Sequence, residues 1–423
     1  MNNSTAQTTT TPEQVDDGGL PFAALLIMAL MGFVLIASET MPAGLLPQIA
    51  AGMNVSEATA GQLVSAYALG TVLAAIPATA ATRGCRRKPL AVFGMLGILV
   101  ANVITAVSPE IALSLGVRLF AGACSGLLWG ILAGYARRIS PPEHAGRALA
   151  IASIGVPAGL AFGTPLGSWI GSTLGWRYSF VALSVIALAT VILVVLCVPD
   201  APGQRAASRM PVVKVLALPG VALILAVIFA WMLAHNTFYT YIASYLRFAD
   251  VGLSTQAALV TFGVAAIAGV WVTGLLIDRA LRLLVLASIA SFVMAGVIFA
   301  VAHQSLIAVL AAIVLWGIAF GGAATQLQTA MANSSGENAD VANSLVGVAF
   351  NCAIFGGGVA GAVLITFDDG LGLPTVMITL AAIAFCIAFA ARRSAFPPRR
   401  TLCCNGFRAE APTCRDRMTT ADD

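Results

Sequence analysis

Charge is what this sequence has least of. Only 9% of its 423 residues are Asp, Glu, Lys or Arg, and 59% are hydrophobic, whereas a soluble domain carries about 25% charged residues. That scarcity excludes an ordinary soluble domain. Histidine is just as rare, limited to His144, His235 and His303, and no His/Glu pair has metal-ligand spacing. None of the eight cysteines stands in a C-x-x-C pair, so neither a zinc site nor a disulfide framework is supported. No G-x-x-x-x-G-K-[ST] run is present, and no Ser or Cys has a base partner at helical spacing. A self-contained ATP-driven pump and a membrane-embedded enzyme are both disfavoured on that ground. The apolar runs lack period-2 alternation, which excludes the spans of a β-barrel.

What is present is a series of long apolar runs. A membrane-spanning helix needs about 20 mainly apolar residues. The chain divides into twelve such stretches, near 20–43, 59–81, 90–108, 111–134, 148–171, 179–198, 215–246, 255–277, 283–301, 305–330, 342–366 and 374–391. The expected fold class is an all-α integral membrane protein.

The basic residues set its orientation. All but three of the 22 lysines and arginines lie in alternate connections or in the C-terminal tail. The connections hold Arg83, Arg86, Arg87 and Lys88; Arg137, Arg138 and Arg147; Arg205, Arg209 and Lys214; and Arg279 and Arg282. Arg177 and Arg247 fall on the opposite side, and Arg118 falls inside a stretch. The positive-inside rule then places both termini in the cytoplasm. The net charge of +4 is a topology signal, with no implication of a nucleic-acid partner. Residues 1–19 lack a basic leader region, and they and residues 394–423 are expected to be disordered cytoplasmic tails.

The chain also repeats itself. Ala78 to Lys88 reads ATAATRGCRRK and Gly274 to Arg282 reads GLLIDRALR, with Arg83 and Arg279 in corresponding places 196 residues apart. Two six-helix halves, 20–198 and 215–393, joined by a cytoplasmic linker at 199–214, fit the architecture of a transporter built from repeats.

On these motifs the chain resembles the major facilitator superfamily, specifically its twelve-helix drug:proton antiporters. The superfamily loop pattern G-x-x-x-D-R-x-x-R is present as Gly274, Asp278, Arg279 and Arg282. The first half departs from it, with Ala78 for the glycine and Thr82 for the aspartate, but Arg83, Arg86 and Arg87 remain to clamp helix ends. Arg118 to Gly126, RLFAGACSG, is similar to the family's arginine-bearing motif. Ser38 to Pro47, SETMPAGLLP, is similar to exporters with an acidic residue and paired prolines. Gly155 to Gly171, GVPAGLAFGTPLGSWIG, resembles the antiporter motif, with Thr164 where a glycine usually precedes Pro165. The resemblance implies a multi-pass protein of the bacterial inner membrane that moves a small molecule by alternating access. It also implies a monomer with the bilayer as its environment, no cofactor, and a proton gradient as the energy source.

Glycine returns every fourth residue in that last run, at Gly155, Gly159, Gly163, Gly167 and Gly171, with Pro157 and Pro165 among them. Small residues at this spacing let a neighbouring backbone approach in lipid, and prolines kink a span without breaking it. The expectation is a bendable gate packed on the eighth helix, or else plain structural packing. Arg83, Asp278, Arg279 and Arg282 complete the expected gating set.

Two opposite charges, Glu39 and Arg118, fall at similar depth inside spans. A lone charge there costs at least about 2.5 kcal/mol, so each should face a cavity or a partner. Glu39 is the expected proton carrier, switched by movement of Arg118. A static ion pair and a hydrated Glu39 stay open as alternatives. His235 is a second proton candidate or a structural hydrogen-bond donor. Trp129, Asn236, Tyr239, Trp316, Gln326 and Gln328 are the candidates to line a cavity for a planar polar cargo. A proton-driven exporter of a drug, sugar or nucleoside is the favoured reading, and an importer or facilitator without proton antiport is the alternative.

Overall fold

A computed structural model describes residues 19–203, 212–336, 339–392 except 369 and 371, and 394–396. The expected terminal tails and most of the expected linker lie outside these residues. All regular structure among the described residues is helical. Eleven helices are long and apolar enough to cross a membrane. They are α1 (Phe22–Met53), α2 (Glu57–Ala78), α3 (Arg87–Val107), α4 (Ile111–Arg138), α5 (Pro142–Thr173), α6 (Trp176–Cys197) and α7 (Val221–Thr240), then Thr255–Val301, α10 (Leu306–Ser335), α11 (Ala342–Phe367) and α12 (Gly372–Ala390). Thr255–Val301 is 47 residues long. At 1.5 Å per residue it would reach about 70 Å, more than twice a bilayer's hydrocarbon core. It breaks at Ala280, whose φ of −148° and ψ of 39° are non-helical, into α8 (255–279) and α9 (281–301). The twelve expected spans are therefore all there, the eighth and ninth joined by one distorted residue instead of a loop.

The expected boundaries are corrected in two places. The first span continues past residue 43, because Pro42 opens a 3-10 turn, Met41–Leu45, and the helix resumes as Leu46–Met53. Proline is tolerated at such first-turn positions, where its missing N–H would have no partner anyway. The seventh span ends at Thr240, and a separate helix, Ile242–Ala249, follows it.

The repeat is visible in the backbone. Asn54 (φ 53°) ends α1 and Asp250 (φ 48°) ends the segment after α7, 196 residues apart, the same offset as Arg83 and Arg279. Ser56 then caps α2 and Ser254 caps α8 through their hydroxyls. Within the first half α4 lies against α2, where a Cβ on Gly122 would sit 1.9 Å from the Tyr67 carbonyl oxygen. Within the second half α10 lies against α8, where a Cβ on Gly321 would sit 2.0 Å from the Ala266 oxygen. Without a hydrophobic drive between helices in lipid, such backbone approaches supply the packing.

The halves meet on the arginine-poor side. Glu57 of α2 accepts hydrogen bonds from Ser244 and Arg247, each at 2.6 Å. Gln62 donates to the Gly358 oxygen at 3.3 Å, Ser65 to Phe355 at 3.4 Å, and Gln256 to Ser168 at 3.4 Å. These hydrogen bonds join the two halves. Toward the basic side Gly134, Gly146, Gly274 and Gly347 have nothing within 4 Å of where a Cβ would stand. The hydrogen bonds named between the halves thus lie toward the arginine-poor face.

Candidate functional site

Pro42 decides where Arg118 goes. In an unbroken α-helix the Ser38 carbonyl accepts from the N–H of residue 42, and proline has none. Arg118 of α4 takes the freed acceptor: its Nη1 donates to the Ser38 oxygen at 2.6 Å and to Ser38 Oγ at 3.2 Å. Ser38 Oγ in turn donates to Asn102 Oδ1 on α3 at 3.1 Å. The guanidinium lies 4.8 Å from the centre of the Phe180 ring and 5.8 Å from that of Tyr67, a cation–π arrangement strengthened by exclusion of water. Arg118 is fully buried.

Glu39 is next in the chain and only 4% exposed. Its Oε1 has no hydrogen-bond partner, and it forms no ion pair with Arg118 among the described residues. A static ion pair is therefore not what this state contains, and a surface-hydrated Glu39 is excluded by its burial. The arrangement is a buried acid beside a buried cation that is engaged elsewhere, so each group is available to change partner.

At the 196-residue offset of the repeat, Glu39 corresponds to His235. The second half uses aromatic chemistry there. Trp316 on α10 donates its Nε1–H to His235 Nδ1 at 3.1 Å. The imidazole stacks on Phe320 at 3.4 Å and on Tyr239 at 5.2 Å between ring centres, with Phe262 at 5.8 Å. Because indole only donates, His235 accepts at Nδ1. The ring proton then sits on Nε2, the nitrogen left to donate.

The other cargo candidates are scattered. Trp316 is fully buried in the aromatic cluster and does not offer a free face. Gln326 donates both amide hydrogens, to Thr273 at 3.0 Å and Ser288 at 3.1 Å, which ties α10 to α8 and α9, while its Oε1 is buried without a partner. Asn236 donates to Met232 one turn back in its own helix. Trp129 is half-buried and Gln328 exposed. Tyr239 is 3% exposed, and its hydroxyl lies beside Thr164 without a well-formed hydrogen bond.

The glycine ladder of α5 faces α1, not α8 as expected. A Cβ on Gly155 would meet Ala29 and Phe33, on Gly159 Ile36, on Gly163 Ala37, on Gly167 Met41 and on Gly171 Leu45. The contact with α8 uses another face of α5, where Gly263 backs onto Ala161. Between Pro157 and Pro165 the helix widens into a π turn, Gly159–Gly163, with the Thr164 N–H donating to the Gly159 oxygen. Proline at 165 cannot serve the Ala161 carbonyl, and a π register is one way a helix absorbs such a missing donor.

At the basic face the repeated loops latch the last helix of each half. Arg282 donates to the Ala388 and Phe389 carbonyl oxygens in the last turn of α12 and to the Phe396 oxygen beyond it. Arg86 pairs with Asp200, just past α6. Cationic groups at helix C-termini are favoured by the helix dipole. Arg83, Asp278 and Arg279 are exposed and make no side-chain hydrogen bond or ion pair among the described residues.

Ser38, Asn102, Tyr67 and Phe180 complete the site and carried no assignment from sequence. The spacing of Ser38 and Pro42 signals an orphaned carbonyl; nothing local signals Asn102.

Two six-helix halves joined at one face, the first holding a buried acid and a buried arginine inside its spans, are the architecture of a membrane transporter. The chain belongs to the Major Facilitator Superfamily, whose family model matches residues 28–361. It is a transporter and not an enzyme. A chloramphenicol efflux pump of Mycobacterium tuberculosis is 29% identical over 362 residues, covering 80% of this chain and 85% of that protein. A probable sugar efflux transporter of Haemophilus influenzae is 27% identical over 368 residues, covering 85% and 90%. A purine ribonucleoside efflux pump of Escherichia coli is 23% identical over 345 residues, covering 80% and 87%. Among solved structures, a bacterial homolog of the human lysosomal transporter Spinster, inward-facing and unoccupied, matches with a TM-score of 0.66 at 15% identity, covering 89% of this chain and 98% of that one.

Proposed function

We propose that the protein is a proton-coupled exporter of a small organic molecule of the bacterial inner membrane, with Glu39 as the proton carrier. The observation that carries this reading is that Glu39 is buried with an unpartnered oxygen while the adjacent Arg118 is held by Ser38. A carboxyl in that setting changes its proton affinity when the arginine moves toward or away from it. The basic face is cytoplasmic by the positive-inside rule, so the hydrogen bonds between Glu57, Ser244 and Arg247 join the halves toward the outside. A proton on Glu39 and a bound cargo exclude each other, so protonation accompanies release of cargo in one cycle, and the proton gradient, without a bound cofactor, drives it. The relatives' names place chloramphenicol, sugars and purine ribonucleosides first among cargoes to try. The mostly apolar, aromatic surroundings of His235 suit a flat molecule with few charges. The protein acts as a monomer.

The test is uptake into energised inverted vesicles of chloramphenicol, arabinose and inosine, with wild type and Glu39→Gln. Uptake that needs the pH gradient and is lost in Glu39→Gln supports the reading. Uptake that ignores the gradient and survives the substitution overturns it in favour of a facilitator.

A further inference from the structure

Asn102 is the one fully buried amide on α3, a helix whose stretch from Pro89 to Ala101 is wholly apolar. A primary amide at that depth is costly unless it is used. Its Oδ1 receives the Ser38 hydroxyl proton at 3.1 Å. That contact has a directional consequence. A hydroxyl has one proton to give, and once it points at Asn102 the oxygen lone pairs face the other way, toward Arg118 Nη1 at 3.2 Å. Without Asn102, the hydroxyl proton of a helical serine turns back to the carbonyl one turn earlier, and the second acceptor for Arg118 loses its alignment.

We infer that Asn102 is a positioning residue for proton coupling: through Ser38 it holds Arg118 in a docked place away from Glu39. The inference rests on the proposal that Glu39 carries the proton. The cradle then has two parts, the Ser38 carbonyl exposed by Pro42 and the Ser38 hydroxyl oriented by Asn102. Both act on the same Nη1, leaving Nε and Nη2 of Arg118 without partners and available to Glu39 when the guanidinium swings. The titratable groups sharing this space are Tyr67 on α2 and Cys124 on α4. Arg177 at the start of α6 is engaged by the Ser108 oxygen at 2.8 Å. No charged group besides Arg118 thus competes for Glu39.

Weakening the cradle brings Arg118 closer to Glu39 on average, and a cation beside a carboxylate favours its charged form. Proton loading then needs more acid. The experiment is an infrared pH titration of the carboxylic C=O stretch in the full-length protein reconstituted in liposomes, with no cargo present. The Glu39 band is assigned by its loss in Glu39→Gln. Asn102→Leu, close in size, and Ser38→Ala are each expected to move its midpoint acidward by about one pH unit. Because Asn102 acts through Ser38, adding Asn102→Leu to Ser38→Ala produces no further shift, a non-additivity that a merely structural role does not give.

Unmoved midpoints, or shifts that add in the double variant, overturn the inference. If Asn102→Leu does not fold, Ser38→Ala alone decides: a midpoint equal to wild type refutes the cradle, and an acidward shift supports it. If no band disappears in Glu39→Gln, the proton-carrier reading itself has failed, which the other variants cannot mimic.

Discussion

The tightest helix contact around α5 is at Gly155, and replacing it by alanine is the sharpest test of how α5 is seated. A Cβ there would lie 1.8 Å from the Ala29 oxygen and 2.7 Å from the Phe33 nitrogen, both backbone atoms of α1. Packed C···O contacts between helices run near 3.3 Å, so α5 must retreat by about 1.5 Å at this point. Backbone cannot rotate aside as a side chain can. Overpacking of this kind costs about 1–3 kcal/mol, set against a gain of up to about 1 kcal/mol from alanine's helix propensity. The expected net is a loss of about 1–2 kcal/mol. Gly134→Ala is the control, since nothing lies within 4 Å of its added Cβ and only the propensity gain remains. Thermal unfolding in detergent reads the difference, with Gly155→Ala melting a few degrees below wild type and Gly134→Ala at or above it. Equal melting temperatures for the two variants would refute the claim that the ladder exists for backbone approach to α1.

Three further outcomes are expected. Trp316→Phe keeps an aromatic side chain, smaller by part of the indole, and removes the donor to His235 Nδ1, leaving a buried acceptor unpaired at about 1–3 kcal/mol beside the cost of the void; a melting temperature unchanged from wild type contradicts that bond. Arg247→Gln removes the ion pair to Glu57, whose cation is 58% exposed, so it is worth no more than about 1 kcal/mol; thiol labelling of a cysteine at Ala58 should speed up at most about fivefold, and a hundredfold rise would show the pair to be the main lock of that face. Asp200 titrates outside the membrane: partial desolvation opposes its ionisation, but hydrogen bonds from the Lys88 and Ala201 amides and the Arg86 pair hold it below the usual carboxylate range. Its contribution is complete above the unfolded value near 3.9 and disappears as pH falls through the lower folded value. The stability gap between wild type and Asp200→Asn should therefore be flat at neutral pH and close below about pH 4, and a gap that widens in acid contradicts the sign.

The spans and the repeat were legible because both are long-range regularities: apolar length survives local irregularity, and Arg83 and Arg279 mark one place in two copies. Glu39 and Arg118 were legible because charge in an apolar run is expensive. Their geometry was not. An arginine docked on a backbone carbonyl leaves no pattern of side chains, and only Pro42, four residues after Ser38, hints at it. Asn102 stayed hidden because one amide in an apolar helix reads the same whether it is a positioning group or a satisfied core residue. The ladder at Gly155 to Gly171 announced a close approach on one face of α5, but a stripe of small residues does not say which helix fills it, and the partner proved to be α1. Gln326 shows what sequence leaves out: its amide hydrogens go to Thr273 and Ser288 of its own half, while its Oε1 has no partner.

The central claim is that protonation of Glu39 governs which face is open. Electron–electron double resonance tests it without knowing the cargo, using spin labels on the basic face at Gly146 and Gly274, where an added side chain meets nothing within 4 Å, in a background stripped of native cysteines. Wild type is expected to show two distance distributions that exchange between acid and alkaline pH, and Glu39→Gln to show the acid distribution at both. A Glu39→Gln variant whose distances respond to pH just as wild type does would contradict the account.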